Sequence, residues 1–186
     1  MEALVRFLEQ YPELRTKRLL LRHYRYQDLE DLFEIFSSKK TTRYIYTYHE
    51  SKKVTKRFLK YKIEHAYEGT MRDWVLENEE HKAIGILRIR FHLRKKEAEI
   101  AYVLNEKYWR KGYAYEACLK FLYYGFNQLK LNSICAQVST NNILSLNLLG
   151  RLRFSHEYTD RNFFLFHTTE HYRITKSQFK REVEVK

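Results

Sequence analysis

A chain of 186 residues fits one domain of ordinary size, and folding at this length buries roughly 70% of the extended chain's surface. With 44% apolar and 31% charged residues it is too hydrophobic for a disordered tail and too polar for a membrane-embedded bundle, and five glycines with one proline exclude collagen-like and low-complexity classes. The 35 basic residues exceed the 23 acidic ones by 12, which calls for an anionic partner: nucleic acid, a ribosome, an acidic protein or a phosphorylated cofactor.

No apolar run approaches the roughly 18 residues of a membrane-spanning helix, and the start, Met1-Glu-Ala-Leu-Val-Arg, lacks a signal-peptide pattern. A cytosolic location without membrane contact is expected. Cys118 and Cys135 sit singly inside apolar segments, so they read as buried thiols, and neither a disulfide framework nor a metal site is expected.

Taken in chain order, Leu4, Phe7, Leu8 and Tyr11 give a short amphipathic start. Arg18 to Tyr24 reads as a strand, with Asp28 as a helix cap and Leu29, Leu32, Phe33 and Phe36 on one face of the following helix. A second helix opens near Ser51, with Val54, Phe58, Tyr61 and His65 on one side and Lys52, Lys53, Lys56, Arg57 and Lys60 on the other. From Asp73 the apolar period becomes two, giving antiparallel strands over Trp74–Asn78, Ala83–Phe91 and Ala98–Leu104 joined by hairpin-length connectors. A long helix is predicted over Gly112–Leu129, then a strand Ser133–Val138, a helix Ser145–Leu152 and two closing strands within Phe154–Thr175. That order defines an α/β (α+β) fold in one domain over residues 1–186, with a mixed, mostly antiparallel sheet flanked by helices. The 16 tyrosines recur at core-compatible spacings, so most are expected to be structural. The basic residues Arg88, Arg90, Arg94, Lys95 and Lys96, and the lysine face after Ser51, are either solvated or contacts for RNA.

The stretch Ala98 to Ala117 is a strand, a short loop and a helix whose opening carries Arg110, Lys111 and Gly112. Unpaired amides and about half a positive charge at such a helix start favour a phosphate or pyrophosphate. With its flanks, the loop resembles the GNAT acetyltransferase superfamily, in particular its RimJ/RimL branch of ribosomal-protein N-terminal acetyltransferases. The stretches that carry the likeness are Thr16–Arg22, Ala98–Ala117 and Asn142–Phe154.

The resemblance implies a GNAT fold in which the loop Trp109-Arg-Lys-Gly-Tyr-Ala114 wraps the pyrophosphate of acetyl-CoA through Arg110, Lys111, Gly112, Tyr113 and Ala114. Trp109 stands at the first position of that signature, and Arg110 occupies a position usually held by glycine. It also implies that Tyr102, Val103 and Leu104 pair their backbone with pantetheine where this strand and Ser133–Val138 splay apart. Asn142 would contact the pantetheine arm and Ser145 would donate to the departing thiolate, although either residue also suits a helix cap. The positions where some members carry a basic Glu and an acidic Tyr hold Gln137 and Leu149 here. Glu99 remains as a candidate base, the alternative being an ordinary pair with Arg88 or Arg90.

The activity implied is acetyl transfer from acetyl-CoA to a primary amine by direct attack, with no metal, in a monomer or homodimer. An α-amine, with a pKa of about 7.7–8.0 against about 10.4 for lysine, costs roughly 3–4 kcal/mol less to present in neutral form near pH 7. A protein or peptide N-terminus, on a ribosomal protein or another, is therefore the expected acceptor. The alternatives are a small-molecule amine or a non-catalytic basic protein bound to RNA or the ribosome.

Overall fold

The computed structural model describes residues 2–45, 47–162 and 167–184. Helix α1 (Glu2–Glu9) leads into strands β1 (Leu14–Arg15) and β2 (Leu20–Arg22), then helices α2 (Leu29–Ser37) and α3 (Lys52–Glu64). Next come β3 (Met71–Glu77), β4 (Ala83–His92), β5 (Glu97–Leu104), α4 (Tyr113–Asn127), β6 (Ser133–Ser139) and α5 (Ile143–Arg151). The chain closes with β7 (Ser155–Asn162), β8 (His167–Thr175) and α6 (Lys176–Glu184). Residues 163–166, between the two closing strands, lie outside the described residues.

The strands form one sheet in the order β1-β2-β3-β4-β5-β6-β8-β7, antiparallel except where β5 meets β6. Side chains alternate across it. Trp74, Leu76, Leu87, Ile89 and Ile100 join Leu4 and Phe7 of α1 and Phe121 and Leu122 of α4 on one face. Val75 and Ile86 meet Leu32, Ile35 and Phe36 of α2 and Leu59 of α3 on the other. This is the helix-flanked mixed sheet expected from the period of two.

Several local expectations change. Asp28 stands at the N-cap of α2 but makes no capping bond with its side chain. Its carboxylate instead accepts two hydrogen bonds from Arg22, at 2.9 and 2.7 Å, and Arg22 also pairs with Glu77. At 0%, 2% and 4% exposure these three charges are buried, and such a group persists only when paired. On α3 the inward side carries Thr55 and Leu59, with Tyr61 left 55% exposed and stacked on His65. Lys62 reaches the buried Asp73 at 2.9 Å, a contact that apolar periodicity does not register. Arg88 also binds Asp73, and Arg90 faces Glu99, so the predicted basic hairpin cluster is partly neutralised inside the fold. Tyrosines 26, 44, 48, 61, 67, 123 and 158 are exposed, so the core takes fewer of them than expected.

One irregularity shapes the functional region. Leu76 pairs with Gly85 and Glu77 with Ala83, so Ile84 is an extra residue in β4, a bulge that bends the strand and increases its twist. Gly85, just after it, faces Leu104, and a Cβ there would come within 2.5 Å of the Val103 carbonyl oxygen and 2.8 Å of the Leu104 side chain. Only glycine lets the end of β5 lie this close. Replacing Gly85 by Ala is expected to cost about 1–3 kcal/mol through overpacking. Thermal unfolding should show that loss, and acetyl-CoA titration should show weaker binding because the end of β5 moves.

Candidate active site

The cleft begins where β5 and β6 stop pairing. Their parallel contact spans Glu97–Ser133, Ala98–Ile134 and Glu99–Cys135. Beyond it, β5 stays registered with β4 as far as Leu104, and β6 with β8 as far as Ser139, so the two middle strands part. A polar cluster pins the closed end. Ser133 donates to Glu97 at 3.0 Å, and Arg173 from β8 bonds both Glu97 (2.7 Å) and the Ser133 hydroxyl (2.6 Å).

The open end holds a cavity of about 520 Å³, a size suited to a small-molecule or cofactor site. Its walls are the end of β5 (Tyr102, Val103, Leu104), the loop into α4, the turn into α5 and residues 40–45 between α2 and α3. Lys40, Arg43, Arg110 and Arg151 line it, and among the described residues no Asp or Glu does.

At one end lies the start of α4. Gly112 is its N-cap at φ +84°, with no side-chain cap, which leaves first-turn amides for an incoming acceptor. Arg110 also has a left-handed backbone, φ +60°, which explains why glycine is usual at this position and why arginine there carries strain. Sequence reading missed what holds the loop. Arg18 donates to the Lys111 carbonyl at 3.0 Å and to Glu116 at 2.7 Å, and its guanidinium lies 4.4 Å from the Tyr113 ring centre. Thr16 adds a 2.6 Å bond to Glu116. Burial opposes the charge on Glu116, yet the bonds from Thr16 and Arg18 hold its carboxyl below the usual range. Trp109 donates its indole N–H to the Leu104 carbonyl at 2.6 Å, tying the loop to the end of β5. The available signal was Thr16–Arg22, a recognised stretch without an assigned role.

The structure brings Arg110, Gly112, Tyr113, Ala114, Tyr102, Val103, Leu104, Asn142 and Ser145 into one cleft. Lys111 is on the same loop but its ammonium lies over the Tyr108 ring, 5.4 Å from the centre, outside the lining. Asn142 caps α5, its side-chain oxygen accepting from the Ser145 backbone N–H at 3.2 Å, so the helix starts two residues earlier than predicted. The Ser145 hydroxyl is therefore not needed for the cap, and Tyr102 lines the same cleft. Burial pushes the Tyr102 phenol well above its ordinary pKa, so it is protonated at neutral pH.

Glu99 does not line the cleft. It lies on the closed, paired part of β5, where Arg90 is 4.0 Å and His92 3.9 Å from its carboxylate, a position that suits the pairing alternative. Leu149 is buried in the core and Gln137 is exposed on β6. Burial pushes the Cys118 thiol up to about 12 and the Cys135 thiol up to about 11, so neither offers a thiolate at neutral pH. Among the described residues no cluster of His, Cys, Asp and Glu could hold a metal ion, and no helix is long and apolar enough to cross a membrane.

A parted sheet opening onto a bare helix start is the architecture of an acyl-CoA-dependent transferase, and comparison with known proteins agrees. The family profile described as "Acetyltransferase (GNAT) domain" matches residues 18–155. The chain is 34% identical to the uncharacterized N-acetyltransferase YoaA of Bacillus subtilis (strain 168) over 152 residues, 79% of this chain and 85% of that protein. The fold is similar to a putative ribosomal-protein-serine acetyltransferase from Vibrio cholerae (TM-score 0.76, 18% identity, 89% of this chain and 98% of that one). It is also similar to a spermidine N-acetyltransferase from Vibrio cholerae in complex with CoA and spermine (TM-score 0.75, 20% identity, 89% and 99% covered). The protein belongs to the GNAT acetyltransferase family and is an acetyltransferase.

Charge at the helix start makes a direct prediction. Changing Arg110 and Lys111 together to Ala should weaken acetyl-CoA binding about tenfold at low ionic strength, less in high salt, since both side chains are exposed and screened. Arg110→Ala alone should account for most of the loss, because only Arg110 lines the cleft. Calorimetric titration at two salt concentrations reads both effects.

Proposed function

We propose that this acetyltransferase transfers acetyl from acetyl-CoA to the α-amine at the N-terminus of a polypeptide, as the RimJ/RimL resemblance implies. The observation that carries the acceptor reading is the charge of the cleft: four cations line it and, among the described residues, no carboxylate does. A polyamine would find no lining carboxylate to receive its charges and would meet Arg43 at the outer wall, whereas a single terminal amine adds little charge. The ribosomal-protein acetyltransferase among the similar folds supports this reading, while the spermidine enzymes share the fold with a different acceptor.

In this reading the first-turn amides of α4, with Arg110 and Gly112, hold the pyrophosphate, and Arg18 and Glu116 keep that loop in place. The edge of β5 left unpaired by β6 offers the backbone groups of Tyr102 to the amide-bearing pantetheine arm, while Val103 is paired with Ile86 of β4. The Leu104 carbonyl is less available, being engaged by Trp109. Asn142 has its side-chain N–H groups free to reach the same arm while its oxygen caps α5. Bound acetyl-CoA supplies an activated thioester. As the neutral amine nitrogen bonds to the acetyl carbon and the carbon–sulfur bond breaks, Ser145 gives its hydroxyl proton to the sulfur and takes one in return from the amine nitrogen, directly or through a water, so that amide, thiol and neutral serine result. Tyr102, protonated and lining the same cleft, offers a second hydroxyl beside it. With Leu149 and Gln137 unable to move protons, the amine must arrive largely neutral, which favours an α-amine over lysine.

Two outcomes test this. Ser145→Ala should lower kcat about 10–100-fold with acetyl-CoA affinity and folding nearly unchanged, as the α5 cap uses only the Ser145 backbone. A free N-terminal peptide should be acetylated faster than an N-blocked lysine peptide or spermidine, most clearly below about pH 8. Thiol release measured side by side decides the order, and faster turnover of spermidine or blocked lysine at pH 7 would overturn the acceptor reading.

A further inference from the structure

Residues 40–45 form the outer wall of the cleft, and one of their cations is left without work in the fold. Tyr44 donates its hydroxyl to the Asn141 carbonyl at 2.9 Å, bridging from the α2–α3 connection to the turn that carries Asn142 and Ser145. The Arg43 guanidinium lies 5.5 Å from the centre of the Tyr44 ring. Arg43 is exposed and lines the cleft, and among the described residues no carboxylate pairs with it. The other lining cations differ. Lys40 is bound to Glu106 at 3.0 Å and lies over Trp109, while Arg151 rests 4.7 Å above Tyr115 beside the first turn of α4, at the phosphate end.

Arg43 is thus held by an anchored ring at the reacting end of the cleft. A guanidinium resting on an aromatic face keeps its planar fork of N–H donors free, a geometry matched to a carboxylate. The anion it meets there comes with the acceptor, because cofactor phosphates belong at the other end, against α4. We propose that Arg43 reads a carboxylate carried by the acceptor near its reacting amine, so that the preferred substrates are polypeptides with an acidic N-terminal segment. This rests on the polypeptide reading above and adds a specificity-determining residue to it.

The test compares kcat/KM for two peptides of equal length with the same first residue, one with Asp and Glu at the next two positions and one with Gln at both. The wild-type enzyme should prefer the acidic peptide about five- to tenfold at low salt, with the preference shrinking as ionic strength rises. Arg43→Ala should remove the preference and leave the KM for acetyl-CoA unchanged, and Arg43→Glu should reverse it toward a peptide with Lys at those positions. Equal use of both peptides by the wild type, or an acid preference that survives Arg43→Ala, would refute the proposal. A raised KM for acetyl-CoA in Arg43→Ala, with peptide selectivity intact, would assign Arg43 to the cofactor and refute it too. If no free N-terminal peptide is acetylated, the polypeptide reading fails by itself. The Arg43 proposal is then decided on whichever amines are accepted, each with its carboxylate compared with the matching amide.

Discussion

The cleft depends on a pairing that stops after three residues. β5 and β6 hold together only from Glu97–Ser133 to Glu99–Cys135. Each strand is then committed to its outer neighbour, β5 to Gly85 and the rest of β4, β6 to β8. Had the middle pair continued, the outward backbone groups of Tyr102 would be spent inside the sheet, and no opening would exist between α4 and α5. The arrangement is kept at both ends by side chains. Glu97, Ser133 and Arg173 lock the closed end, while the Ile84 bulge and the bare Gly85 let the far end of β5 sit hard against β4.

At the anion end the same logic of distant support recurs. Two departures into left-handed backbone, at Arg110 and Gly112 on either side of Lys111, shape the loop at the cleft, and an arginine holds such a φ where its surroundings enforce it. The enforcement comes from more than 90 residues earlier in the chain, through Arg18 on the Lys111 carbonyl and on Glu116. Glu116 serves twice, since a carboxylate in the first turn also favours the helix dipole. The cost of a negative side chain near a phosphate site is offset because Arg18 neutralises it.

Proton movement in the cleft is sparse. Ser145 and Tyr102, among its lining hydroxyls, can donate at neutral pH, while Glu99 lies beside Arg90 and Asp73 beneath Arg88 and Lys62, outside the cleft lining. A site so equipped can protonate a leaving sulfur but does little to deprotonate an incoming ammonium. Under the proposed mechanism that asymmetry favours an acceptor amine that is neutral in appreciable amount near pH 7.

The sequence by itself determined the order of elements, the helix-flanked mixed sheet and the loop from Trp109 to Ala114, because apolar periods of two and 3.6 and a short basic turn are local properties of the chain. Asn142 and Ser145 were legible through the family resemblance, as an Asn-x-x-Ser pair at a helix start. Only the tertiary structure decided which roles such residues can take. It set Glu99 on the paired side of the strand split, gave Asn142 the cap and left the Ser145 hydroxyl out of that cap. It also joined Arg18 to Glu116, Tyr44 to Asn141 and Lys62 to Asp73, pairs separated by 98, 97 and 11 residues. Pairs of that kind leave no periodic trace, since a polar side chain's partner is fixed by where the sheet twists and parts and not by its spacing along the chain.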